Sequence, residues 1–303
     1  NIDRLDYSND TAATTPKGPL SIPTLASAGT GNRDFGYIGG LQPGRSQTLR
    51  IDYSNDTALT TEKGSLIASG YMVAAAGNTD FGYWNSGSHG TRVGRLDYAN
   101  DSVNAIFRGN TAYGGVKRAG TGSGSFGYFT GGDPAPQPTT VDRVDYANDT
   151  SIATKGPLSL GKYYHAGISA QENGLATLPI PATRTESGVT PVPNFGYVIG
   201  GSWPIVSTVD RIDYANDTPT AAVKGSLEIT RSAHQSTSNP THAYAAAGYP
   251  SNTSVSRIEF SNDTSTAVAK GPLTAHHNYF GATGNASFGY YAGGEPSVQS
   301  TVD

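Results

Sequence analysis

Six histidines and a modest set of charged side chains are the groups that could do chemistry in this 303-residue chain, which contains no cysteine. The absence of thiols excludes a cysteine nucleophile, a thiolate zinc site and a disulfide scaffold. His276 and His277 are the one adjacent histidine pair among His89, His165, His234, His242, His276 and His277. Neighbouring residues of a strand point to opposite faces, which is poor geometry for one metal ion. His165, His234 and His276 stand at similar points of the repeat described below, early in a first strand. A ring of imidazoles there could hold a metal or an anion, and packing or channel lining is the preferred reading. Arg33, Arg45, Arg92, Arg118, Arg184 and Arg231 lie outside the repeat and could serve an anionic substrate, but nothing in the sequence converges them. Neither a Gly-x-Ser-x-Gly elbow nor a His-Glu-x-x-His helix occurs. No catalytic residue, metal or cofactor is assigned, and the chain is expected not to be an enzyme.

Most of the charge is repeated. The phrase Arg-(Ile/Leu/Val)-(Asp/Glu)-(Tyr/Phe)-(Ser/Ala)-Asn-Asp-(Thr/Ser) occurs six times, with arginines at Arg4, Arg50, Arg95, Arg143, Arg211 and Arg257. Successive copies are 46, 45, 48, 68 and 46 residues apart. After each copy comes a basic residue before glycine, at Lys17, Lys63, Arg108, Lys155, Lys224 and Lys270, except that Arg108 carries the place in the third copy. A second phrase, Phe-Gly-Tyr followed by Gly-Gly, runs between copies at residues 35–40, 126–132, 195–201 and 288–294, with degraded forms at 81–87 and 241–248. Arginine and acid lie two apart on a strand, share a face and can bridge within or between units. Their presence in every copy marks them as scaffold. The turn asparagines Asn9, Asn55, Asn100, Asn148, Asn216 and Asn262 formally open glycosylation sequons, as do Asn252 and Asn285. Asn and Thr are also turn chemistry, and that reading is preferred.

The elements that must position these residues are short strands. Phe195 to Ile199 is aromatic and branched and is stopped by two glycines. Residues 208–214 alternate, and Ala215-Asn216-Asp217 suits a turn before a Thr/Val/Ala-rich run ending at Gly225. Turn signals every 8–12 residues with no helical period are the all-β pattern. Four strands in about 46 residues, repeated six times, predict a six-bladed β-propeller of four-stranded antiparallel blades. The chain starts inside a third strand and ends inside the same strand, so pairing of N- and C-terminal strands should close the ring. Residues 1–303 are thus expected to form a single propeller domain, with an insertion at about 171–193 in the fourth complete unit. The chain is also expected to be processed or part of a longer one.

The unit resembles the kelch repeat: the Gly-Gly pairs, the Asp-Tyr-x-Asn-Asp turns and Arg231-Ser-Ala-His234 stand where kelch blades carry comparable features. The Trp that usually follows the turn is missing from all six copies, and Asp-Tyr inverts the usual Tyr-Asp. A kelch-like copper oxidase would need a Cys–Tyr crosslink, which this chain cannot make. The paired phrases Phe-Gly-Tyr-x-Gly-Gly and Val-Asp-Arg-Ile-Asp-Tyr-x-Asn-Asp-Thr are similar to repeats in large proteins of marine cyanobacterial viruses. That second resemblance implies a virion-surface or fibre protein.

Two charges of each sign per copy cancel, so the net −4 comes from the 8 basic and 12 acidic residues outside the skeleton. A mildly acidic chain without a basic face is a poor nucleic-acid partner, and no apolar run is long enough to insert in a membrane. Specificity is left to the loops after each Gly-Gly strand, which propeller topology gathers on one rim. Trp203, Tyr249, His89, Asp133, Glu295 and Arg45 are the candidate contacts there. Aromatics stack on sugar faces and carboxylates accept sugar hydroxyls. The resulting expectation is a binding or structural module, on a virion or otherwise extracellular, contacting a host-surface glycan or partner protein. A homo-oligomer or larger assembly would sum weak contacts through several copies. The alternatives are a polysaccharide-acting propeller enzyme and an intracellular interaction scaffold.

Overall fold

The computed structural model describes residues 2–41, 44–87, 90–133, 138–149, 152–170 and 194–295. The chain opens with β1 (Ile2–Asp6) and β2 (Thr15–Pro16) and then lays down five complete sheets. Blade 1 is β3 (Ala28–Gly31), β4 (Phe35–Gly39), β5 (Gln47–Asp52) and β6 (Thr61–Ser65). Blade 2 follows as β7 (Ala75–Gly77), β8 (Phe81–Asn85), β9 (Arg92–Asp97) and β10 (Ile106–Asn110). Blade 3 holds β11 (Ala119–Gly122), β12 (Phe126–Thr130), β13 (Val141–Asp145) and β14 (Ile152–Thr154). In blade 4 come β15 (Ala166–Ser169), β16 (Phe195–Ile199), β17 (Val209–Asp213) and β18 (Ala222–Val223), and in blade 5 β19 (Gln235–Ser238), β20 (His242–Ala246), β21 (Val255–Glu259) and β22 (Val268–Lys270). The last strands, β23 (Gly281–Gly284) and β24 (Phe288–Ala292), join β1 and β2 as blade 6 in the order β2-β1-β24-β23.

Closure is therefore as the strand arithmetic predicts. β1 pairs antiparallel with β24 from Ile2 opposite Ala292 to Asp6 opposite Phe288, so the two ends of the chain share one sheet. The first strands of successive blades lie side by side around the axis, and β23 meets β3 to complete the circle. The fold is an all-β six-bladed propeller.

Small residues make that convergence possible. A Cβ on Gly29 would lie 2.2 Å from the Ala282 carbonyl oxygen, and one on Gly120 would lie 1.9 Å from that of Ala75. Away from the axis, each blade is apolar on both faces because each is sandwiched by neighbours. In β17, Val209 joins the core that blade 4 shares with blade 5, while Ile212 turns the other way into the core shared with blade 3. Stacked aromatic pairs, five Tyr–Tyr and one Tyr–Phe, cross the six inter-blade gaps. Tyr37 stacks on Tyr98, Tyr83 on Tyr146, Tyr128 on Tyr214, Tyr197 on Phe260, Tyr244 on Tyr7 and Tyr290 on Tyr53, with ring centroids 4.6–5.2 Å apart. Offset aromatic pairs of this kind add roughly 0.5–1.5 kcal/mol each beyond their buried area.

Candidate binding face

The two ends of the propeller are built from different residues. At the end that carries the Asn-Asp turns, the skeleton charges form one motif repeated six times. The turn aspartate of each blade accepts from three side chains of the preceding blade: the strand-three arginine, the basic residue before glycine and the Phe-Gly-Tyr tyrosine. Asp101, for example, binds Arg50 at 2.8 Å, Lys63 at 2.9 Å and the Tyr37 hydroxyl at 2.8 Å. Asp56, Asp149, Asp217, Asp263 and Asp10 take the same trio, and Arg257 and Lys270 on Asp10 carry the motif across the chain ends.

The arginine's partner is thus the turn aspartate of the next blade, not the acid two residues along its own strand. That strand acid does different work: Asp6, Asp52, Asp97, Asp145 and Asp213 accept the backbone N–H two residues on and cap the turn. Turn asparagines accept from the hydroxyl two residues on, as Asn9 Oδ1 does from Thr11 Oγ1 at 3.4 Å and Asn216 Oδ1 from Thr218 Oγ1 at 3.2 Å. Five of the arginines also stand over the Phe of Phe-Gly-Tyr, with Cζ 4.1–4.3 Å from the ring centroid. Burial acts to raise the Asp101 pKa, but the bonds from Lys63 and Tyr37 and the nearby charges outweigh it, and the carboxyl lies below its ordinary range. Asp10 is depressed in the same way, by Lys270, Arg257 and Tyr244 against its burial. A Cβ on Gly64 would come within 2.1 Å of the Val103 carbonyl oxygen, so the glycine after each lysine lets the next blade's turn close over the motif.

At the other end lie the loops that follow the Gly-Gly strands and those that lead into the first strands. Single β-bridges tie them together within a blade: Val116 with Asp133, Tyr163 with Ser202, Ser232 with Tyr249, and Asn278 with Glu295. This is the rim the sequence reading anticipated. Trp203 and Tyr249 are 69% and 53% exposed, and Glu295 and Arg45 are exposed as well. Asp133 is half-buried and accepts from Lys117 Nζ at 2.7 Å. His89 lies outside the described residues, as do 134–137, 296–303 and the insertion at 171–193. The insertion's flanking residues, Ala170 and Asn194, belong to the β15–β16 connection at the Asn-Asp end.

Beneath the rim are charges that sequence reasoning left scattered. Arg118 pairs with Asp142 at 2.8 Å and Lys162 with Asp210 at 2.9 Å, all four side chains fully buried. Burial lowers the pKa of Arg118 and Lys162, while the paired aspartates pull the other way. Arg231 is likewise enclosed, donating to the carbonyls of Ala245, Ala247 and Ser254 and to Ser256. His277 stands 3.7 Å from Asp3, which also takes the Thr274 hydroxyl, so this pair fastens the N-terminal strand to the C-terminal segment.

The histidine ring is not formed. His165 and His234 are equivalent and buried, but the matching residue of blade 6 is Phe280, and His276 lies outside that position. Their rings occupy the space where a Cβ on Gly131 or Gly200 of the preceding blade would sit. Burial, helped by Lys162 and by Arg118 or Arg231, holds both imidazoles well below the ordinary histidine pKa and so neutral. Among the described residues no group of three His, Asp or Glu side chains could hold a metal ion, and no helix is long and apolar enough to cross a membrane.

At the axis the rim-side entry is made by six residues that the sequence does not distinguish. Ala26, Met72, Lys117, Tyr164, Ala233 and Tyr279, each two or three residues before the first strand of its blade, all have φ between 51° and 63°. None is glycine or asparagine, and a left-handed residue of another type costs roughly 1–2 kcal/mol. Their backbones form a closed ring of hydrogen bonds: Met72 N–H donates to the Ala26 carbonyl at 2.7 Å, and Lys117, Tyr164, Ala233 and Tyr279 each donate to the one before at 2.7–3.1 Å. Ala26 donates to Tyr279 to finish the circle. Compared with protein-family models and with curated proteins, the chain matches none, so its place rests on its own repeat and ring: it is a six-bladed β-propeller.

Proposed function

We propose that the chain is a non-enzymatic binding module that presents its rim-side face to a glycan or a partner protein. The carrying observation is the division of labour between the ends. Six near-identical charge motifs occupy one end, while the side chains that differ between copies, including exposed Trp203 and Tyr249, gather at the other. Large exposed aromatics beside polar groups are the composition of recognition surfaces. The rim carboxylates favour binding over hydrolysis. Asp133 is neutralised by Lys117, and Glu295, in another blade, is bridged through its backbone to Asn278 of its own blade.

The resemblance of the repeat to kelch units and to cyanobacterial virus proteins suggests the setting, a virion-surface or fibre-associated position outside a cell. There, several copies in one assembly would sum weak contacts into useful avidity. A glycan array tests the reading with the wild-type protein and with Trp203→Ala and Tyr249→Ala. Selective binding that falls in either variant supports it. An array on which the protein binds no glycan removes the sugar and leaves display of, or docking to, protein partners.

A further inference from the structure

The axial entry on the rim side carries more than scaffold. We propose that it is a binding subsite for a single neutral sugar unit, the terminal residue of the glycan to which the rim is assigned above. The inference rests on that assignment and adds where the sugar's end is held.

Strain is the first argument. Six non-glycine residues in the left-handed region around one opening are costly, and strained backbone of this kind collects at ligand clamps. All six line one bowl of about 340 Å³, measured with its open mouth.

The walls are the second. Tyr164 and Tyr279 meet edge to face at 4.9 Å, and the Tyr164 hydroxyl reaches the Met72 sulfur at 3.7 Å. Lys117 Nζ lies 4.8 Å from the centre of the Tyr164 ring. These half-buried side chains offer an aromatic corner to the C–H face of a sugar ring.

The floor is the third. Ser27, His165 and His234 line the bowl and are buried. Ser27 Oγ, His165 Nδ1 and both ring nitrogens of His234 have no hydrogen-bond partner within the protein. Buried polar atoms without partners are rare and ask for a ligand or ordered water. Charge selects among ligands. The imidazoles are neutral, Lys117 is matched by Asp133, and Arg118 by Asp142. An ionic ligand would find no unmatched counter-charge among these groups, whereas a polyhydroxyl ring finds donors, acceptors and a stacking surface together.

Saturation-transfer NMR tests the subsite with four separate probes: glucose, galactose, mannose and N-acetylglucosamine. The proteins are wild type, Tyr164→Gly, Tyr279→Gly and Trp203→Ala. Glycine is the residue best suited to φ 53° and 57°, so the two tyrosine variants lose the ring while relieving backbone strain. Their melting temperatures should stay within about 4 °C of wild type. At least one sugar is expected to bind the wild type, with affinity weakened roughly tenfold or more in the tyrosine variants and weakened by less than that in Trp203→Ala. Binding lost in Trp203→Ala but unchanged in both tyrosine variants would move the sugar to the outer rim, overturning the subsite while keeping the glycan reading. If none of the four sugars binds, the subsite is overturned, and the array decides separately whether the rim takes a larger glycan.

Discussion

The Asn-Asp end and the rim end of this propeller spend their polar residues differently. At the first, one aspartate per blade gathers an arginine, a lysine or arginine, and a tyrosine from its neighbour, and the motif recurs at every junction. At the second, each blade solves the same positional problem with its own residues: Arg118 with Asp142, Lys162 with Asp210, His277 with Asp3, and Arg231 with serines and carbonyls. Blades 1 and 2 have Leu49 and Gly94 where Asp142 and Asp210 stand. Repetition at one end fixes the angle between blades. Variation at the other leaves that geometry untouched, so the rim can carry different side chains without reopening the ring.

The comparison is broken most severely by Asp101→Ala. It leaves Arg50, Lys63 and Tyr37 facing a junction without their acceptor and should cost about 3 kcal/mol in chemical denaturation. A cost below 1 kcal/mol would mean that the charge motif is decoration. Next, Gly64→Ala forces a methyl group against the Val103 carbonyl and should destabilise by roughly 2 kcal/mol, read the same way.

Acid should act in two stages. Burial holds His165 and His234 below the ordinary value of 6.5, so only the unfolded chain takes up their protons. Stability is full above about pH 6.5 and falls as pH drops below it. Asp10 and Asp101 are depressed below 3.8, so their contribution holds above that pH and is lost as pH falls through it toward the folded-state values. Melting temperature against pH should show both declines. His234→Val, which copies Val73 of blade 2, should shrink the first decline and leave the second. The smallest effect is expected from Trp203→Ala, within about 0.5 kcal/mol of wild type although the same change is predicted to weaken binding.

The fold was legible because its signals are local and repeated. Gly-Gly stops, Asn-Asp turns and the strand period all lie within one unit, and the closure could be read from where the chain starts and ends in that unit. Contacts between units were less legible. Arg50 and Asp101 are bonded across 51 residues, and the strand acid beside the arginine offered a nearer, wrong partner. The six left-handed residues carry no common type, so Ala26 and Tyr279 share a backbone role that no spacing rule announces. Trp203 and Tyr249 were recognisable as rim residues because loop position follows from topology. Tyr164 and Tyr279 were not, because they immediately precede first strands that read as scaffold.

The claim that one face binds and the other holds is tested most directly by hydrogen exchange with the glycan selected on the array. The account predicts slowed exchange in the rim-side segments around Lys117, Tyr164, Trp203, Tyr249 and Tyr279, and no change at the six Asn-Asp turns. Protection concentrated at those turns, with the rim unaffected, would contradict it.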